Sequence, residues 1–113
     1  MKMSFDKITV VINTFHSDDK IGQCLESINS KLKVIIVENS DNSRFKEKIE
    51  KKYHNVKCYL TGENLGYAKG NNFGLSKVTT KYALILNPDA KLANSAIENF
   101  LISAEKLKDF SII

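Results

Sequence analysis

Three apolar runs constrain this chain more than anything else in it: Ile8-Thr9-Val10-Val11-Ile12, Val34-Ile35-Ile36-Val37 and Tyr82-Ala83-Leu84-Ile85-Leu86. Each has the length of a strand, and each is continuous rather than alternating. Continuous β-branched runs suit strands buried on both faces, the environment of a parallel sheet. A fourth run, Val56-Lys57-Cys58-Tyr59-Leu60, alternates and fits a place nearer a sheet edge. Helical spacing fills the gaps. Ile21, Cys24, Leu25 and Ile28 form one stripe, with Ser17 or Asp18 as its cap. Phe45, Ile49 and Tyr53 form a second, and Ile97, Phe100, Leu101 and Ala104 a third, capped by Asn94 or Ser95. Ala68, Leu75 and Val78 form a looser fourth. Strand and helix alternate from end to end. That pattern predicts an α/β fold: a mainly parallel sheet with right-handed crossovers and helices on both faces.

With 113 residues the chain holds one domain, 1–113, and one core. Its net charge of +4, from 17 basic and 13 acidic residues, suits an anionic small ligand and gives no indication of nucleic acid. The run Lys46-Glu47-Lys48-Ile49-Glu50-Lys51-Lys52 mixes both signs, with Glu47 and Lys51 at i,i+4 spacing, so it reads as a solvated helix face. The two cysteines, Cys24 and Cys58, have neither CxxC nor zinc spacing and read as small buried hydrophobes in a reducing compartment. No apolar run is long enough to span a bilayer, and no signal peptide is visible. The expectation is a cytoplasmic, soluble chain, although a longer parent protein is free to reach a membrane. Phe110-Ser111-Ile112-Ile113 looks like a new strand cut short, so the chain is expected to be the front portion of a longer protein.

The only proline, Pro88, stands where the last apolar run stops and an acid follows: Leu86-Asn87-Pro88-Asp89-Ala90. Proline cannot donate to a sheet ladder, so the strand ends near Asn87 and the Asp89 carboxylate is held just beyond it. Strand ends of open α/β sheets are where ligands and metals bind. A turn residue capping the next helix is the plainer alternative. Four of the five glycines, Gly62, Gly66, Gly70 and Gly74, recur every fourth residue. Interior glycines cost a helix about 1 kcal/mol each against alanine, so something requires Gly70 and Gly74: close helix–sheet packing, or a ligand against the backbone. Gly66, at the helix start, favours the ligand, because free N–H groups there suit a phosphate. Asn64, Asn71 and Asn72 crowd the same segment and either tie loops together or bridge to a nucleotide.

After the second run, Glu38-Asn39-Ser40-Asp41-Asn42 brings acids and amides to a strand end, where they either accept from a base or ribose or form a turn and helix cap. After the first run comes Asn13-Thr14-Phe15-His16, in which His16 has no visible metal partner and reads as a loop residue. There is no GxGxxG after the first strand, no GxxxxGK[ST] and no GxSxG. Dinucleotide-binding Rossmann domains, P-loop NTPases and esterases are thereby disfavoured. A receiver domain needs acids where Asn13 and Thr14 stand.

Four pieces in order, Asn13-Thr14-Phe15, Val37-Glu38-Asn39-Ser40, the stretch from Asn64 to Leu75 and Leu86-Asn87-Pro88-Asp89-Ala90, resemble the N-terminal half of a family 2 glycosyltransferase of the GT-A fold. The Asn-Pro-Asp version is similar to the rhamnosyltransferase-like branch. The resemblance implies transfer of a sugar from a nucleotide-diphosphate-sugar to an acceptor hydroxyl, with inversion. It places Thr14 near the nucleotide, Glu38 at the base, and Asn39 in the pocket wall. Asn64, Gly66, Gly70 and Asn72 would lie along the nucleotide cleft. Asn87 and Asp89 would take the DxD position, with Asp89 as ligand to a divalent Mg²⁺ or Mn²⁺. Asn87 replaces the usual first acid, so the metal would be held more weakly or rest on Asp89 alone. The catalytic base is expected beyond Ile113, in an acceptor half that would bind a carbohydrate or lipid-linked acceptor; this chain alone is expected to be inactive. Two rivals remain open: a non-catalytic nucleotide-binding or assembly module of the same fold, and a generic flavodoxin-like domain.

Overall fold

The computed structural model describes residues 5–92 together with residues 99 and 102. After a short 3₁₀ turn at Phe5–Lys7, the described residues alternate strand and helix: β1 (Ile8–Thr14), α1 (Asp18–Glu26), β2 (Lys33–Glu38), α2 (Ser43–Lys52), β3 (Val56–Leu60), α3 (Gly66–Leu75) and β4 (Tyr82–Leu86). The four strands form one sheet in the order β3-β2-β1-β4. Every pairing is parallel, with Val10 opposite Val34 and Leu84, and Ile36 opposite Cys58. Among the described strands β3 lies at one edge, in keeping with its alternating pattern, and β4 at the other. The stripe at Ile97, Phe100, Leu101 and Ala104 and the expected strand at Phe110 to Ile113 lie outside the described residues. No helix among the described residues is long and apolar enough to cross a membrane.

The two faces of the sheet are built differently. Side chains alternate across a strand, so Ile8, Val10, Ile12, Val34, Ile36, Val56, Cys58, Tyr82 and Leu84 share one face. They meet Ile21, Cys24 and Leu25 of α1 and Phe45 and Ile49 of α2 in one apolar cluster. Burying an aliphatic side chain of this kind contributes roughly 1.5–3 kcal/mol, so this face supplies most of the stability. α2 is anchored by Asn42, whose Oδ1 accepts from Phe45 N at 3.1 Å. Lys46 Nζ reaches both Glu50 Oε2, at 2.9 Å, and the Cys58 carbonyl, at 2.7 Å. The mixed charge run thus pairs at Lys46–Glu50, while Glu47 and Lys51 are exposed.

α3 covers the other face. Its buried residues are Gly70, Asn71 and Gly74, whereas Ala68 of the expected apolar stripe is exposed. The helix lies so near the sheet that backbone takes the place of side chains. A Cβ on Gly74 would come within 2.6 Å of Val11 Cγ1 and 3.0 Å of Val37 Cγ2. Of the two readings open for Gly74, close packing is therefore the one realised. The three-stranded run β1–β2–β3 builds outward on one side and β4 returns to the other side of β1. The strand order therefore reverses between β1 and β4, which opens a crevice at their carboxyl ends.

Candidate functional site

The carboxyl ends of β1 and β2 meet the start of α3 in a continuous polar network. Asn39 N and Asn39 Nδ2 both donate to the Thr14 carbonyl, each at 2.9 Å. Asn39 Nδ2 also donates to Asn13 Oδ1, and Asn39 Oδ1 accepts from Leu65 N at 3.1 Å. Asn13 Nδ2 donates to the carbonyls of Gly66 and Tyr67, both at 3.3 Å. Two side-chain amides therefore pin the first turn of α3 to the end of the sheet. Gly70 is one helical turn further along. A Cβ there would collide with the Asn13 amide, approaching Cγ to 2.7 Å. Gly66 is glycine for another reason: its φ of +83° is left-handed, and nothing stands near its absent Cβ. Its N–H donates to Asn64 Oδ1 at 3.1 Å.

On the opposite side of the sheet, Glu38 is fully buried. Thr14 Oγ1 donates to Glu38 Oε1 at 2.7 Å, and Ser40 Oγ donates to Glu38 Oε2 at 2.5 Å. The ion pairs found among the described residues leave Glu38 out.

Past β1 the chain turns sharply. His16 has a φ of +54°, in the left-handed region that is uncommon for residues other than glycine, and its ring lies 4.3 Å from that of Phe15. Phe15 is half exposed at this rim.

The last register pair of β1 and β4 is Ile12 with Leu86, so Asn87 follows at the level of Asn13. Both Asn87 and Asp89 are exposed, and Ala90 N closes the turn onto the Asn87 carbonyl at 3.0 Å. The strand ends one residue before Asn87, with Pro88 outside the ladder. Cys24 sits beneath this turn and donates to the Asn87 carbonyl at 3.6 Å. Burial pushes its thiol up to about 11, with the negative charge of Asp89 adding to the shift. Burial likewise pushes Cys58 up to about 12, so both thiols stay protonated at neutral pH.

The residues expected at the site thus divide in two. Thr14, Glu38 and Asn39 are buried and hydrogen-bonded to protein, while Asn64, Gly66, Asn87 and Asp89 are exposed along the same edge. Gly70 faces the Asn13 amide. Asn72 is exposed on α3, and it is its neighbour Asn71 that is buried, with an Oδ1 that has no partner among the described residues. Asn13 and Ser40 carry much of the network and were singled out only as parts of strand-end motifs. Their signal in the sequence was a polar side chain one position from Thr14 and another two positions from Glu38.

The glycosyl transferase family 2 model matches residues 9–112. The chain belongs to glycosyl transferase family 2. Among curated proteins it is 30% identical over 104 residues to a teichoic acid poly(glycerol phosphate) polymerase from Staphylococcus epidermidis, covering 85% of this chain. It spans 14% of that relative's length. The likeness bears on the family and not on the rhamnosyltransferase-like branch. Among solved structures, S. aureus TarS residues 1–349 superimposes with a TM-score of 0.75 at 19% identity, over 88% of this chain and 32% of that one. A second TarS structure gives 0.72 at 17% identity, over 88% of this chain and 20% of that one. These neighbours share the fold expected from the alternation of strands and helices.

Proposed function

We propose that this chain carries the donor side of a glycosyl transfer reaction, in which a sugar passes from a nucleotide-diphosphate-sugar to an acceptor hydroxyl with inversion. The observation that supports it most is convergence. Three segments far apart in sequence, Asn13–Phe15, Asn64–Gly66 and Asn87–Asp89, meet at the carboxyl edge of the sheet, beside the β1/β4 reversal. In an inverting transfer the acceptor oxygen bonds to the anomeric carbon as that carbon's bond to the diphosphate breaks, and a base takes the acceptor proton. The donor side must therefore hold the diphosphate and leave the far face of the sugar open. The exposed Asn64, the Gly66 backbone and the Asn87–Asp89 turn are assigned to that holding role. The base is assigned to the acceptor side, away from these donor-holding residues. The acceptor is assigned to the carbohydrate or lipid-linked kind. Two buried, unpaired thiols fit a reducing, cytoplasmic setting.

A divalent cation fits the donor set here. The described residues hold no cluster of three or more acidic, His or Cys ligands. Mg²⁺ and Mn²⁺ sites of this class need no such cage, because one or two carboxylates serve together with substrate phosphates and water. Asp89 offers the carboxylate and Asn87 a neighbouring amide oxygen. The bound ion would neutralise charge gathering on the leaving diphosphate. Titration of UDP, dTDP and GDP with and without Mn²⁺, into the wild type and Asp89→Ala, tests this. Metal-dependent tightening in the wild type that vanishes in the variant is expected. Equal, metal-independent binding in both proteins would remove Asp89 from the metal role.

A further inference from the structure

We infer that Thr14, Glu38 and Ser40 form a buried latch, so that Glu38 is a positioning residue which sets the strand-end loop and does not contact the donor's base. This inference rests on the donor-site reading for what the loop is positioned toward, and on geometry alone for the latch itself.

A carboxylate that reads a base must present an oxygen to it. Glu38 has no exposed surface, and each of its oxygens already accepts from a hydroxyl, Thr14 Oγ1 at 2.7 Å and Ser40 Oγ at 2.5 Å. It also stands on the α1/α2 side of the sheet, because Ile36 and Val34, two and four positions before it on β2, point into that core. Of the exposed candidates for ligand contact, Asn64 and Gly66 are tied to Asn13 and Asn39 on the α3 side, while the Asn87–Asp89 turn lies over Cys24 of α1. Burying an acid with only hydroxyl partners is costly, and removing one partner of such a group costs more than the bond it made. A chain that keeps the arrangement draws something from it, and here that is placement. Ser40 N folds back on the Glu38 carbonyl at 2.9 Å, and Thr61 N reaches the same carbonyl at 3.1 Å. Gly62 N then bonds the Ser40 carbonyl at 3.0 Å. Thr14 is the hinge of the device: its hydroxyl is held by Glu38 and its carbonyl receives both nitrogens of Asn39. Fixing Glu38 therefore fixes Asn39, and Asn39 holds the Leu65 amide at the start of α3.

Glutamine preserves this geometry. One oxygen still accepts from Ser40, while the amide nitrogen donates to Thr14 Oγ1, whose own hydrogen has the Val37 carbonyl 3.3 Å away. Alanine preserves none of it. The test uses Glu38→Gln, Glu38→Ala and the milder Ser40→Ala in two arms. In the ligand-free arm, amide hydrogen exchange is followed at Gly62 and Leu65. Ser40→Ala and Glu38→Ala are expected to speed both by about tenfold, the worth of roughly one hydrogen bond, and Glu38→Gln by less than about threefold. Unchanged protection in both alanine variants overturns the latch. In the second arm UDP, dTDP, GDP and CDP are titrated into wild type and Glu38→Gln. The latch predicts that all four affinities move together and that their order is kept. A change of about tenfold or more for one nucleotide relative to the others overturns it, because the carboxylate is then reading the base. If the wild type binds none of the four, the donor-site reading fails, and the exchange arm still decides the latch.

Discussion

The two faces of the sheet use the same strands for opposite ends. Against α1 and α2, the strands present Ile, Val, Leu and Tyr, and the helices answer with Ile21, Leu25, Phe45 and Ile49. Against α3 they present Val11, Val37 and Asn13, and the helix answers with Gly70 and Gly74. The first face gains stability from buried area. The second gives up side chains so that a helix start is held by named hydrogen bonds at the strand ends. A face of the first kind tolerates small shifts, since apolar contact has no direction. One of the second kind tolerates few, since its bonds depend on distance and angle.

The sharpest break in that contrast is expected from the apolar side. Ile36→Ala removes a fully buried side chain from the centre of the cluster. It should cost about 2–5 kcal/mol in urea denaturation, while leaving the Asn13–Asn39 network in place. A loss below about 1 kcal/mol would show that this face is not where stability resides. Next comes the α3 side. Gly70→Ala drives a methyl into the Asn13 amide and should cost about 1–3 kcal/mol. Combined with Asn13→Ala, which clears the space, the loss should be smaller than the sum of the two single losses. Strict additivity would mean that the helix simply moves away. The smallest effect lies at the seam between α2 and β3. Burial by itself pushes the Glu50 carboxyl up. Hydrogen bonds from Lys46 and the Cys58 N–H, with the charges of Lys46 and Lys57, outweigh it and hold the carboxyl below its ordinary range. A depressed carboxylate adds stability above its unfolded value and loses it as pH falls through the folded one. Glu50→Gln should therefore be less stable than wild type at pH 7 by a few tenths of a kcal/mol, and the gap should close as pH falls below about 4. A gap that widens toward acid would reverse the assignment.

The stabilising face was the more legible of the two in the sequence. Continuous β-branched runs and the stripes at Ile21, Cys24, Leu25 and at Phe45, Ile49 announce their burial through composition, whereas the order of the strands was not legible there. The α3 stripe at Ala68, Leu75 and Val78 misled because periodicity counts side chains, and this helix is buried through residues that have little or none. Pro88 marked the end of β4 correctly, because a missing N–H is a local fact. Thr14, Glu38 and Asn39 were legible as a group and not by role. A one-dimensional pattern places polar residues at a strand end without saying which are consumed by one another. Burial and bond partners make that distinction, and they separate Asn64, Gly66, Asn87 and Asp89 from the residues beneath them.

Backbone amide shifts of the ¹⁵N-labelled chain, followed while UDP, dTDP, GDP or CDP is added with Mg²⁺, test the central claim most directly. A groove of about 650 Å³ between α1 and α2, lined by Asp18, Gly22, Glu26, Lys52 and Tyr53 among others, offers the competing location. The account predicts that the largest shifts fall at Thr14–His16, Asn64–Tyr67 and Asn87–Asp89, and that those at Asp89 need the metal. Shifts centred on Gly22, Lys52 and Tyr53, with the strand-end residues unmoved, would contradict it.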